Sequence, residues 1–160
     1  MAEQQDQQPK FEINRVYVKD VSFESPQAPQ VFLENNQFAV DVAVDTKPRH
    51  VEKDFYEVAL KVTVTSKKDK SEDIVYIAEA CQAGVFTLSN FSKEQQDQVL
   101  NSACANILFP FIRETIANLV YRGGFPQLYL APINFDALYM QQQEQAKKKT
   151  AQATGEEGHA

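Results

Sequence analysis

The sequence has no tryptophan, and only two histidines, two cysteines and five glycines. Histidine is the most common general base and metal ligand at neutral pH. Here His50 sits beside Arg49 in a polar stretch and His159 lies near the C-terminus, so neither belongs to a recognisable constellation. Cys81 and Cys104 lack metal-ligand spacing and read as two reduced thiols, one in a strand pattern and one in a helical pattern. The glycines form no phosphate-binding loop, and there is no dinucleotide fingerprint, HExxH pair or nucleophile elbow. With no general acid/base constellation to read either, the sequence argues against an enzyme, and it implies no cofactor and no metal.

Long apolar runs are also missing. Nothing approaches the roughly 18 residues of a membrane span, and the start, MAEQQDQQPK, has no apolar core of an export signal. Direct membrane insertion is therefore not expected, and a cytoplasmic protein is the plain reading. Basic residues are outnumbered, 16 to 22, for a formal net charge of -6 and a pI of about 4.9. A nucleic-acid binder needs a basic stripe, which this composition does not supply. An acidic surface suits basic partners instead.

What is present is enough apolar material for one folded domain: 160 residues, 43% hydrophobic, with eleven phenylalanines and six tyrosines. The organising stretch is residues 55–65, FYEVALKVTVT. Its period-2 pattern puts Tyr56, Val58, Leu60, Val62 and Val64 on one buried face, and leaves a mixed face of charges and threonines opposite. That asymmetry predicts an antiparallel sheet with one open side.

Residues 1–9 are polar and expected to be disordered. Residues 11–24, FEINRVYVKDVSFE, carry apolar side chains on both parities. The segment is a central strand, a bulged strand, or one whose second face meets another subunit. By strict alternation Phe11, Ile13, Tyr17, Val21 and Phe23 share one face, and Val16, Val18, Asp20 and Glu24 the other. Asp20 and Glu24 lie about 13 Å apart on an extended chain, too far for a general acid/base pair and better suited to docking. SPQAP, residues 25–29, must turn or extend. The second strand is expected over residues 38–45, with Phe38, Val40, Val42 and Val44 facing in, followed by a polar loop to residue 54. Residues 66–73 read as a charged connection. Residues 74–88 read as a strand spanning the whole sheet, with small residues Ala78, Ala80, Ala83 and Gly84 in its middle and Glu79 sharing a face with Val75 and Ile77. The small residues leave room for a close-packed helix, or for a groove or subunit contact.

Ser92 with Gln95 forms a capping box that opens a helix. Pro110 breaks or kinks that helix, or starts a new one, and Gly123-Gly124 closes it with a left-handed cap. Residues 123–135, GGFPQLYLAPINF, are apolar but interrupted by Pro126 and Pro132, so they fit neither a helix nor a central strand. This loop either packs on the core or lines an apolar groove. Asn134 caps a last helix whose apolar positions stop at Met140, after which it frays into a polar tail.

YVKDVSFESPQAPQVF (residues 17–32), FYEVALKVTVT, AGVF (residues 83–86) and ANILFPFIRETIANLVYRGGFPQLYLAPINFDALYM (residues 105–140) together resemble the SecB family of bacterial protein-export chaperones. The resemblance covers nearly all of residues 10–141, the expected domain, with residues 142–160 left as a fraying helix end and tail. It implies an α+β fold, with a four-stranded antiparallel sheet, helices packed on one face, and assembly into a homotetramer as a dimer of dimers. It implies ATP-independent holding of unfolded secretory precursor proteins and their delivery to the translocase ATPase, SecA. By the same resemblance Asp20, Glu24, Ile77 and Glu79 dock the zinc-bearing C-terminal tail of that ATPase, the zinc belonging to the partner. Phe125, Leu128, Leu130 and Phe135 line the client groove. Two other readings compete: a related chaperone dedicated to a toxin–antitoxin pair, and a domain that binds a small hydrophobic ligand. The bland readings are core packing for Ile77 and the four loop residues, and an ordinary wet strand face for Asp20 and Glu24.

Overall fold

In the computed structural model, which describes residues 8–156, the chain runs through four strands and then a helical half. The strands are β1 (Lys10–Glu24), β2 (Phe38–Glu52), β3 (Phe55–Lys68) and β4 (Ile74–Ser89). They form one antiparallel sheet in the order β1-β4-β3-β2. The helices are α1 (Lys93–Gln98), a π-helical turn (Val99–Ala103) continuing into α2 (Cys104–Arg122), and α3 (Phe135–Glu156). The expected disorder of residues 1–9 falls almost entirely outside the described residues. Among the described residues, no helix is long and apolar enough to cross a membrane.

β3 follows its alternation as expected. Val58, Leu60, Val62 and Val64 are fully buried, and they pack with Phe86 and Leu88 of β4 under Leu108, Ile112 and Ile116 of α2. Ala78 and Ala80 lie on this same side of β4, where α2 packs, so their small size serves close helix packing. Cys104 is buried in the same core, and burial pushes its thiol pKa up to about 12.

β1 departs from simple alternation, and the reason is two bulges. Register shifts against β4 fall between Ile13 and Arg15 and between Val18 and Asp20. Each extra residue reverses the parity after it. Phe11, Ile13, Val16, Val18, Val21 and Phe23 therefore all fall on the helix side, opposite Leu88, Phe86, Gly84, Gln82, Ala80 and Ala78. Tyr17, Asp20, Ser22 and Glu24 fall on the outer side. The apparent two-sided apolar pattern was a bulged edge strand.

Three other boundaries moved. β2 runs through Pro48, Arg49 and His50, expected as loop, because an edge strand can leave a proline's missing N–H pointing at solvent. Pro110 sits inside an unbroken α2. It is exposed, as is Asn106, whose carbonyl loses its helical donor. α3 continues to Glu156 through the segment expected to fray into a tail, with residues 141–154 all exposed.

The caps follow the sequence. Ser92 and Gln95 make the reciprocal capping box. Gly124 has φ 90°, and the amides of Gly124 and Phe125 donate to the carbonyls of Tyr121 and Val120, closing α2 with a left-handed turn. Gly123 is favoured by space instead, since a Cβ there would run into the Phe23 ring. The amide of Ala137 donates to the Asn134 side chain at 3.0 Å, which starts α3.

Candidate functional site

A helix is about 10 Å across and strands are spaced about 4.8 Å apart, so one helix shields roughly two strands. α2 covers β4 and β3 and barely reaches β1. Several helix-facing side chains of the two edge strands are left uncovered. On β2, Phe38, Val40 and Val42 point to the helix side as expected, yet they remain 38%, 40% and 46% exposed. The loop between α2 and α3 runs alongside them. It leaves an apolar groove with two pockets, one of about 400 Å³ between Val42, Val44, Leu130, Pro132, Ile133 and Leu138, and one of about 210 Å³ between Phe38, Val40, Tyr76, Phe125 and Leu128.

The four loop residues named for the groove divide by burial. Phe125, Leu130 and Phe135 belong to the hydrophobic core at 5%, 6% and 1% exposure. Only Leu128 is half-buried and packs at the core's margin. Phe125 anchors the loop, with its ring 4.9 Å from Tyr76, 5.2 Å from Phe32 and 6.3 Å from Phe38. Phe135 stacks edge-on to Phe109 at 5.8 Å. Phe125 and Leu130 still present part of their surface to the two pockets, whereas Phe135 lines neither. Sequence reasoning did not name Val40 and Val42 as groove wall. Their signal was an inward apolar parity on a strand that one helix could not cover.

The opposite side of the sheet is different in character. Antiparallel register sets Glu24 opposite Ile77, Ser22 opposite Glu79 and Asp20 opposite Cys81. Directly opposed residues share a face, so Asp20, Glu24, Ile77 and Glu79 come together on the outer side, away from the helices. Val75, expected beside Ile77 and Glu79, instead joins the core at an irregularity where β4 pairs with β3. Asp20 and Glu24 are exposed, and neither has an ion pair among the described residues. Glu79 accepts a hydrogen bond from the Thr63 hydroxyl at 2.8 Å and pairs with Lys61 at 3.4 Å. Cys81 is half-buried and free, its pKa raised chiefly by burial.

On this face, close to the β2–β3 turn, lies Glu57, 8% exposed. Its carboxylate accepts from the Tyr17 hydroxyl and from Lys19 at 3.1 Å, and pairs with Arg49 at 3.5 Å. The Tyr17 hydrogen bond is the main reason its pKa lies below the usual carboxylate range. Tyr17 itself is pushed up to about 12, first by burial and then by Glu57, so it stays a donor throughout the physiological range. His50, expected in a loop, is an exposed strand residue with its ring 5.0 Å from that of Tyr56. Among the described residues, no group of three His, Cys, Asp or Glu side chains could hold a metal ion.

A family model described as preprotein translocase subunit SecB matches residues 4–146. Protein-export protein SecB of Chromobacterium violaceum is 49% identical over 145 residues, covering 91% of this chain and 95% of that protein. Its counterpart in Methylococcus capsulatus is 45% identical over 153 residues, covering 94% and 97%. That of Neisseria meningitidis serogroup A is 49% identical over 137 residues, covering 86% and 92%. Among solved structures, a SecB-like chaperone of Mycobacterium tuberculosis, in complex with an antitoxin peptide, superposes with a TM-score of 0.64 at 15% identity, covering 77% of this chain and 90% of that one. That last likeness is one of fold. With a match over nearly its whole described length and relatives at these identities, the chain belongs to the SecB family.

Proposed function

We propose that this chain is an ATP-independent cytoplasmic chaperone that holds unfolded secretory precursor proteins and delivers them to the translocase ATPase, SecA. The observation that carries this reading is the open apolar groove between β2 and the α2–α3 loop. It is roofless over Phe38, Val40 and Val42, it is walled by Leu128, and it lies on the opposite side of the sheet from the acidic face. A groove of apolar side chains binds extended unfolded segments by burial, without a fixed sequence code. Asp20, Glu24, Ile77 and Glu79 form the dock for the zinc-bearing tail of the ATPase. Two acids that pair with no cation among the described residues would meet a basic segment, and Ile77 would give an apolar anchor. Identities of 45–49% to export chaperones, against 15% to the one found with an antitoxin peptide, favour general export over a dedicated toxin–antitoxin role. The test is whether the protein suppresses refolding of a slow-folding secretory precursor, and whether that precursor then passes to the ATPase. A precursor that refolds at its unassisted rate would defeat the reading.

The assembly is a homotetramer, a dimer of dimers. The second roofless strip supports self-association: Ile13, Val18 and Val21 of β1 are 50%, 51% and 45% exposed on the helix side of an edge strand. A row of that kind on a soluble chain calls for a cover. Light scattering at micromolar concentration is expected to give four times the 18.1 kDa chain mass. A stable monomer would rule the assembly out. Joining several grooves would also raise avidity for one long client.

A further inference from the structure

Glu57 is the one buried carboxylate among the described residues, and it collects cations from both edges of the sheet. Arg49 sits directly opposite it on β2. Tyr17 and Lys19 come from β1, with β4 lying between. They reach Glu57 on a diagonal, since Tyr17 pairs with Ala83 and Glu57 with Val85 on β4. Ala83 and its β3 partner Ala59 carry only methyl groups and leave that diagonal open.

The second bulge of β1 makes this matter for docking. It leaves Lys19 and Asp20 adjacent on the outer side, both set against Cys81. Lys19 is thus the nearest cation on its own strand to Asp20, and the natural one to neutralise it. It turns instead toward the centre of the sheet, 3.1 Å from Glu57. The other lysines of this face are also engaged, Lys61 with Glu79 at 3.4 Å and Lys47 with Asp45 at 3.7 Å. Asp20 and Glu24 are left without an ion pair among the described residues.

We propose that Glu57 is a positioning residue for the docking face: it holds Lys19 away from Asp20 and so keeps Asp20 and Glu24 available to a basic partner. This rests on the reading that those two acids dock the ATPase tail. A basic ligand and an internal ammonium compete for the same carboxylate. Fixing the ammonium on a buried acid removes the competitor without removing the charge that keeps the strand edge soluble.

The test is a double-mutant cycle read by affinity for the zinc-loaded tail peptide of the ATPase at low salt. Glu57→Gln keeps the shape of the side chain and releases Lys19. Binding should weaken by about fivefold, the scale of a strong rim charge effect, and the loss should shrink as salt rises. Adding Lys19→Gln to that variant should bring affinity back to within about twofold of native. Lys19→Gln alone should not weaken binding. An unchanged affinity in folded Glu57→Gln overturns the inference, and so does a loss that Lys19→Gln fails to restore, since Glu57 would then act through the fold or its own charge. If Glu57→Gln does not fold, Glu57→Asp tests the same competition, because the shorter side chain keeps its charge but draws the carboxylate back from Lys19, now 3.1 Å away. Unchanged binding there also overturns it. The parent reading is separated by reversing Asp20 and Glu24 to lysine. If that variant loses the peptide while Glu57→Gln keeps it, only the role of Glu57 fails. If the lysine variant binds normally, the dock itself is elsewhere.

Discussion

Replacing Val40, Val42 and Leu128 by serine is expected to weaken binding of an unfolded precursor by at least about tenfold, or 1.4 kcal/mol, while the chain stays folded and keeps its assembled mass. Val40 and Val42 are 40% and 46% exposed, and Leu128 is half-buried at the edge of the core. Each lost methyl or methylene forfeits about 0.8 kcal/mol of transfer free energy when the client covers it. The cost to the free chain is smaller than for core residues, because the two valines are already partly wet in it and Leu128 packs only at the core's margin. The edge-strand propensity lost at the two valines is at most about 1 kcal/mol each. Calorimetry with a reduced, unfolded precursor measures the affinity. Circular dichroism and light scattering check that the variant is intact. Leu130→Ser is the informative contrast. Leu130 lines the same pocket but is 6% exposed and part of the core. Its loss should cost about 2–5 kcal/mol of stability, so a binding defect there could come from unfolding alone. A folded triple variant that binds normally would mean that the β2 side of the loop is not the client groove.

How far the residues alone foretell this groove depends on what each pattern encodes. β3 and the helix-facing half of β4 were legible because their alternation is unbroken from Tyr56 to Val64 and the side chains match it. The caps at Ser92, Gly124 and Asn134 were legible because each solves a local problem with a local residue. β1 was not, because a bulge leaves no compositional mark. Asn14 and Lys19 look like ordinary strand residues, and only pairing with β4 reveals that they are extra. Pro48 misled for a related reason, since its tolerance depends on β2 being an edge, which is a property of strand order. Of the four loop side chains named for the groove, Leu128 stands at its wall, Phe125 and Leu130 reach its pockets only in part, and Phe135 lines neither. Density of Phe125, Leu130 and Phe135 signals that a loop is anchored, and anchoring residues are buried by it. The exposed wall comes from the mismatch between a four-stranded sheet and a helix that covers two strands, which no single segment encodes.

Reversing both Asp20 and Glu24 to lysine is expected to weaken docking of the ATPase by about tenfold or more at low salt, with precursor affinity changed by less than about twofold. Both acids are exposed on the side of the sheet away from the groove, and neither has an internal ion pair among the described residues to break. Lysine is well tolerated on an edge strand, so the fold should not suffer. The substitution turns two attractions for a basic tail into two repulsions. Lys19 and Lys61 already stand on that face, held by Glu57 and Glu79, so the reversed patch would have no free acid of its own to offer. The loss should fall as ionic strength rises, because charges more than about 10 Å apart are screened at 0.1 M salt. Ile77→Ser provides the complementary reading. Ile77 is half-buried opposite Glu24, and apolar contact is not screened, so the part of docking lost with Ile77 should persist across the same salt series. If the lysine variant loses client and ATPase equally, the two faces are not independent. If it docks the ATPase as well as the native chain at low salt, this acidic face is not where the tail binds.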